Sequence, residues 1–369
     1  MLRRTVSIQP AAPRNNVLVK LPGGGIFEAP IGATLGEIME AVSSHEEDCL
    51  GGACFMAALV DGRLRDLTTP LMEDASIVPV TARDTDGARI YRRSLSFLLM
   101  TAAAEVFPGS DVSIEHSATT VGAYFCEVRG HAPFTQGGLS LIEERMRAIV
   151  EANEPILRTP MTIPEAVAAL EARGDEEAVR LLAHRQKDDV VLYSLRGRRD
   201  YFQGYMLPST GPLQHFALHA YPPGFMLQFP HQGRPSELPP ITPYPKLFHV
   251  YEEAGHWLER LGIRSTGALN DAIAAGRLAE ISLVAEALHE SRMSQIAYDI
   301  ASQGDRIKVV LVAGPSASGK TTFSKRLSVQ LLANGRRPFP LCLDDYFVDR
   351  DLTPRDSTGA FDYECLQAV

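Results

Sequence analysis

The residues best equipped for chemistry are Gly314-Pro315-Ser316-Ala317-Ser318-Gly319-Lys320-Thr321, followed by Thr322. They match G-x-x-x-x-G-K-[ST], a loop whose backbone cradles phosphates. Successive N–H groups in such a loop face inward and bind an anion, and the positive end of the next helix adds to the field. Gly314 and Gly319 admit backbone angles and a close phosphate approach that a Cβ would obstruct. Lys320 would reach the β- and γ-phosphates, and the Thr321 hydroxyl would ligate Mg2+. These residues predict a nucleoside triphosphate site with Mg2+.

Such a loop has to leave a buried strand and open a helix. Residues 307–313 (IKVVLVA) form a short, β-branched apolar run suited to a buried parallel strand. Beyond the loop, Phe323, Leu327, Leu331 and Leu332 share one helical face, and Gly335 supplies a stop. A second strand is expected over Arg337–Leu343, ending at Asp344-Asp345-Tyr346-Phe347. Ligand groups sit at the carboxyl ends of strands in an open parallel sheet, so these aspartates should face the phosphates. A carboxylate there can take the proton of an attacking hydroxyl or hold the Mg2+ shell, although one of the two is equally suited to cap a helix.

The rest of the chain sets bounds. Its 369 residues suggest two or three domains, and 45% hydrophobic with 22% charged residues is the composition of an ordinary globular protein. A formal net charge of −9 argues against non-specific nucleic-acid binding over the whole surface, but not against a local basic patch. Cys49, Cys54, Cys126, Cys342 and Cys365 lack metal or disulfide spacing and read as thiols of a reducing compartment. No apolar core follows the basic start before Pro10, and no run nears the roughly 20 apolar residues of a membrane span. A cytoplasmic protein without membrane contact is expected, and a homo-oligomer is allowed.

Residues 1–15 read as a tail. Strands are expected at Val17–Leu21, Ile26–Ala29, Met56–Val60 and Ser76–Val80, with turns at Pro22–Gly25 and Asp61-Gly62. Thr34 and Glu37 form a capping box for a helix bearing Leu35, Ile38, Met39 and Val42. This ββαββ order, with the stretches 60–71 and 74–77, resembles the TGS domain at the front of threonyl-tRNA synthetases. The resemblance implies a β-grasp fold over 16–85 and a regulatory or RNA-contacting role.

It continues over 86–230. Tyr91–Leu99 begins a helix to about Phe107, 121–128 reads as a strand, 139–150 as an amphipathic helix, and 201–211 follows. These segments look like the editing-type α+β domain of threonyl- and alanyl-tRNA synthetases. That family places two histidines four apart on the helix, and a cysteine and a histidine four apart later, around a metal. Here those positions hold Arg93, Phe97, Phe202 and Met206. Phenylalanine has no lone pair, arginine stays cationic, and methionine is a soft ligand, so metal chemistry is expected to be absent. His215 and His219 have i, i+4 spacing but fall where extended chain is expected, which favours a structural role. Residues 231–305 are expected to be a linker, with six prolines in 229–246, followed by a helical segment.

Over 306–369, the loop, Leu343–Phe347, Thr353–Asp356 and Phe361–Glu364 resemble the uridine kinase/phosphoribulokinase family. The resemblance implies an incomplete α/β domain with a parallel sheet and ATP-dependent phosphoryl transfer to a nucleoside 5′-hydroxyl, most simply uridine or cytidine. Lys320 and Asp344 would be catalytic. Gly314, Ser316, Ala317, Ser318, Gly319, Lys320, Thr321 and Thr322 would bind ATP. Asp344, Tyr346 and Asp362 would bind the nucleoside, with Phe347 in the base pocket. The chain ends at Val369, about fifty residues past the loop, whereas such a domain needs on the order of 200 residues, so truncation within the domain is expected. Competing readings are an RNA- or nucleotide-responsive regulator built on the front region, an aminoacyl-tRNA deacylase, and a regulatory GTPase.

Overall fold

The computed structural model describes residues 14–45, 54–118, 121–315, 317–356, 359–363 and 365–369. Cys49, Ser316, Glu364 and most of the expected N-terminal tail lie outside the described residues. The chain divides into two compact units, one ending at Asp271 and one beginning at Ala272. The described chain mixes helices with several sheets, including one parallel strand pair.

The first sheet has the order β2-β1-β5-β3-β4, from β1 (Asn16–Lys20), β2 (Ile26–Pro30), β3 (Phe55–Val60), β4 (Arg63–Arg65) and β5 (Ala75–Thr81). β1 pairs antiparallel with β2 and parallel with β5. Val17 and Val19 alternate inward as a two-residue period requires, while Asn16 and Lys20 stay exposed. Across the sheet lies α1 (Leu35–His45). The Thr34 backbone N–H donates to the Glu37 carboxylate at 2.8 Å, and the Glu37 N–H donates to the Thr34 hydroxyl at 3.3 Å. This closed capping box starts the helix and turns Leu35, Ile38, Met39 and Val42 into a core with Val19, Ala58 and Ile77.

The long helix α2 (Thr85–Val106) starts hard against the end of β5. A Cβ on Gly87 would lie 1.8 Å from the Thr81 carbonyl oxygen, so only glycine permits that crossing. Two antiparallel sheets follow. One has the order β11-β12-β7-β6, from β6 (Asp111–Ala118), β7 (Ala123–Arg129), β11 (Ala217–Tyr221) and β12 (Gly224–Gln228). The other has the order β10-β9-β8, from β8 (Leu157–Thr162), β9 (Asp189–Leu195) and β10 (Arg198–Tyr201). Between them run α3 (Gln136–Glu151), α4 (Ile163–Glu171) and α5 (Glu176–Ala183). α2 and α3 supply Leu95, Phe97, Leu98, Leu139, Ile142 and Met146 to the main core, which also takes Phe216, Phe225 and Phe229. α6 (Pro245–Arg260) and α7 (Thr266–Ala274) come next, the latter capped by the Ser265 hydroxyl, which accepts from Ala268 N–H at 3.1 Å.

The second unit departs from expectation. It contains α8 (Leu278–Ser302), α9 (Lys320–Ala333) and short 3₁₀ turns. No strand forms over the described residues of 307–313 or 337–343, so the parallel sheet expected there is absent and the parallel pair is β1·β5. The reason is physical. Strands of a parallel sheet need cover on both faces, yet Val309 is 73%, Leu311 88%, Phe339 81% and Leu341 66% exposed. Without neighbouring strands or covering helices, the apolar runs have nothing to bury against. The two helices do pack, through Ala297, Leu327 and Leu331, with Arg326 paired to Glu290 at 2.8 Å.

Candidate functional site

Two places concentrate the residues singled out by sequence. The first is the loop at the head of α9. Gly319 adopts φ +85, the left-handed region that favours glycine, and hands the chain to the helix at Lys320. A Cβ on Gly314 would come within 2.8 Å of the Ser318 hydroxyl, which would have to turn away. The Lys320 ammonium reaches back across the loop and donates to the Gly314 and Pro315 carbonyls, both at 2.9 Å. Ala317, Ser318, Thr321 and Thr322 are exposed. Glycine placement, lysine position and an exposed helix start suit an anion.

The residues expected to complete a kinase site lie in segments without strand structure. Asp344 and Asp345 lie in an exposed 3₁₀ turn, Leu343–Tyr346, instead of at a strand end. Among the described residues no hydrogen bond or ion pair joins Asp344 to Lys320. Tyr346 is 56% exposed. Asp362 is half-buried, and its backbone N–H donates to the Pro354 carbonyl at 2.8 Å. Phe347 meets the Tyr363 ring edge-on at 6.1 Å.

The second place lies in the first unit, where α2 meets residues 202–207. The four positions carried over from the synthetase pattern converge here. Phe97 is fully buried, and its ring centroid lies 5.4 Å from that of Phe202 at an interplanar angle of 59°. Met206 is 2% exposed in the same core. Arg93 donates from Nη1 to the Tyr205 carbonyl and lies over Gly204, where a Cβ would sit 2.9 Å from its guanidinium carbon. Ser94 Oγ accepts from Leu207 N–H at 2.9 Å and donates to the Ile90 carbonyl, and Tyr193 OH donates to the Gly204 carbonyl at 3.0 Å. The segment is therefore pinned to the helix by three contacts, from Phe97, Arg93 and Ser94, and to β9 by a fourth from Tyr193.

A metal does not fit this donor set. Two benzene rings and a thioether stand where lone pairs would be needed, and the remaining group is a cation. Among the described residues no group of three or more histidine, cysteine or acidic side chains is placed to hold a metal. His215 N–H donates to the Tyr91 hydroxyl at 3.0 Å, and the His219 ring shares a 3.0 Å hydrogen bond with the Gln228 side chain, which gives both histidines structural partners. A groove of about 1310 Å³ runs nearby, lined in part by Met39, Phe55, Met56, Tyr91, Asn153 and His215.

Sequence reasoning left β6, β8 and β9 unassigned. The signal was present in β9, where Val190, Leu192 and Leu195 point inward and Asp189 outward.

No protein-family model matches the chain. Curated relatives do. The threonine–tRNA ligase of Burkholderia orbicola (strain MC0-3) is 31% identical over 206 residues, and that of Geobacter sp. (strain M21) is 32% identical over 204. Each match takes in 55% of this chain and 31% of the relative, so the chain spans about a third of the length of the curated relatives it matches. The chain carries a threonyl-tRNA synthetase-like region.

That similarity corrects the expected activity. The relatives are threonine–tRNA ligases and not nucleoside kinases, so phosphoryl transfer to uridine or cytidine is overturned as the reading of this chain. The absence of strands over the described residues of 307–313 and 337–343 accompanies that correction. No helix among the described residues is long and apolar enough to cross a membrane.

Proposed function

We propose that this chain is an RNA-binding regulator whose synthetase-like region engages tRNA without metal-dependent hydrolysis of an aminoacyl ester. In this reading, the loop at 314–321 holds the phosphates of a nucleoside triphosphate, with Thr321 on Mg2+, and responds to nucleotide instead of transferring phosphate. The observation that carries the proposal is the packing of Phe97, Phe202 and Met206 in the core close to Arg93, in a region similar to threonine–tRNA ligases. Rings, a thioether and a guanidinium stand at the positions where the synthetase pattern places metal ligands. Binding can survive such replacement, but water activation by a metal cannot.

The test is retention of bulk tRNA by the full chain on a filter at about 0.15 M salt, with and without ATP and Mg2+. Retention above that of a duplex DNA control supports the reading, and no retention overturns it. Hydrolysis of an aminoacyl-tRNA that is lost on chelation would overturn the non-hydrolytic part alone.

A further inference from the structure

His116 is placed by an irregularity in its strand. β6 pairs with β7 so that Ile114 lies opposite Cys126 and His116 opposite Phe125, which leaves Glu115 as an extra residue between them. Residues two apart on a regular strand share a face, but the bulge turns His116 away from the face on which Ile114 packs against the main core. Its imidazole stacks on the Phe125 ring at 4.9 Å and 25°. It also stacks on the Tyr251 ring of α6 at 4.2 Å and 9°, and meets Phe248 of the same helix at 5.7 Å. Phe248 in turn meets Phe125 at 4.7 Å and Tyr221 at 5.1 Å. These rings join α6 to the sheet, and no residue of the helix is fully buried.

Little around the half-buried imidazole answers an added proton. Among the described residues neither ring nitrogen makes a hydrogen bond, so an imidazolium would carry its extra N–H without a protein acceptor. The adjacent Glu115 carboxylate already takes the Ser113 hydroxyl at 2.6 Å, Arg264 at 3.2 Å and Arg129 of β7 at 3.5 Å. Glu127 of β7 pairs with the same Arg264 at 3.0 Å. On α6, Glu259 lies 3.9 Å from Arg264, and Glu252 lies 3.7 Å from His249. Tyr251 of α6 and Tyr221 of β11 contribute rings. Burial pushes the His116 imidazole below its ordinary range, and the Glu115 charge opposes that only in part.

We propose that His116 is a proton-sensitive latch for α6: the neutral imidazole clamps the helix to the sheet through its ring stack, and protonation releases it. An imidazole held below its ordinary value while the helix is docked binds its proton more tightly once the helix is free. Docking is therefore favoured in full above the free value of about 6.5, and weakens as pH falls through it towards the docked value. Release would uncover the Phe125 and Tyr221 rings on the sheet. The latch does not depend on the RNA-binding reading and stands or fails without it.

The full chain is followed from about pH 7.5 to about pH 5 by hydrogen exchange, with protection corrected for the pH dependence of free amides. Fluorescence of Trp257, the chain's one tryptophan, reports on the same helix. Protection of α6 should fall severalfold on acidification while that of α2 holds, and Trp257 emission should shift with the same midpoint. His116→Phe keeps a ring without a titrating group, and should leave α6 protected across the range. His249→Gln, elsewhere on α6, should keep the wild-type response. A wild-type profile in His116→Phe overturns the latch, as does a response lost in His249→Gln. Wild-type protection that is flat overturns it, and so does protection that rises on acidification, since ring faces would then hold the imidazolium better than water does. Should His116→Phe not fold, Tyr251→Ala decides, at an exposed position of α6. Lower protection of α6 at about pH 7.5 in that variant supports the latch, and unchanged protection overturns it.

Discussion

The rings of Phe97 and Phe202 lie 5.4 Å apart, tilted by 59°, and join two segments separated by more than a hundred residues of chain. Tilted aromatic pairs at this spacing add specific attraction to the burial of their area. Phe97 is fully buried, so the contact is part of the main core.

Phe97→Ala should therefore cost about 3–5 kcal/mol of stability, because it removes a buried ring and leaves a cavity. Urea unfolding followed by circular dichroism reads this as a lower midpoint. A loss under about 1 kcal/mol would mean that the ring does not seal the core. Chelation should leave the unfolding midpoint of the unaltered chain where it was, since no metal links these positions.

The capping box of α1 makes a smaller prediction. Thr34→Ala removes the hydroxyl that accepts from Glu37 N–H, and should destabilise the chain by about 1 kcal/mol. Thr34→Ser should retain most of that stability. Equal unfolding midpoints for Thr34→Ala and the unaltered chain would refute it.

Acid stability follows from two carboxylates. Burial alone would raise the pKa of Glu105, but hydrogen bonds from Arg196 and Arg145, at 2.7 and 2.6 Å, outweigh it and hold the carboxyl below the usual glutamate range. Glu115 behaves alike: burial opposes, and the Ser113 hydroxyl and Arg264 prevail. A folded pKa below the unfolded value of about 4.3 means that the stabilisation is full above that value and is lost as pH falls through the folded one. Thermal midpoints should therefore drop on acidification below about pH 4.3, and less steeply in Arg196→Gln and Arg264→Gln. Parallel pH profiles in variant and unaltered chains would exclude these pairs as the cause.

The loop makes a ligand prediction. Saturating ATP with Mg2+, near a hundred times the dissociation constant, should stabilise the chain by about 2.7 kcal/mol through mass action. Lys320→Ala should abolish the shift. Gly314→Ala should diminish it, because the new Cβ would meet the Ser318 hydroxyl at 2.8 Å. A shift retained in Lys320→Ala would place the nucleotide elsewhere.

Sequence alone determined the elements whose cause is local. The capping box at Thr34 and Glu37, the strands β1, β2, β3 and β5, the apolar faces of α2 and α3, and the glycines of the loop follow from residue type and spacing within a few positions. It also showed that Arg93, Phe97, Phe202 and Met206 cannot hold a metal, because ligation depends on atoms each side chain carries or lacks. Tertiary structure decided what depends on partners far along the chain. It joined Phe97 to Phe202 and Arg93 to the Tyr205 carbonyl. It left Val309, Leu311 and Phe339 exposed where a parallel sheet was expected. A strand has no stability without neighbours to satisfy its backbone and layers to bury its faces, so a β-branched run specifies only the readiness to form one.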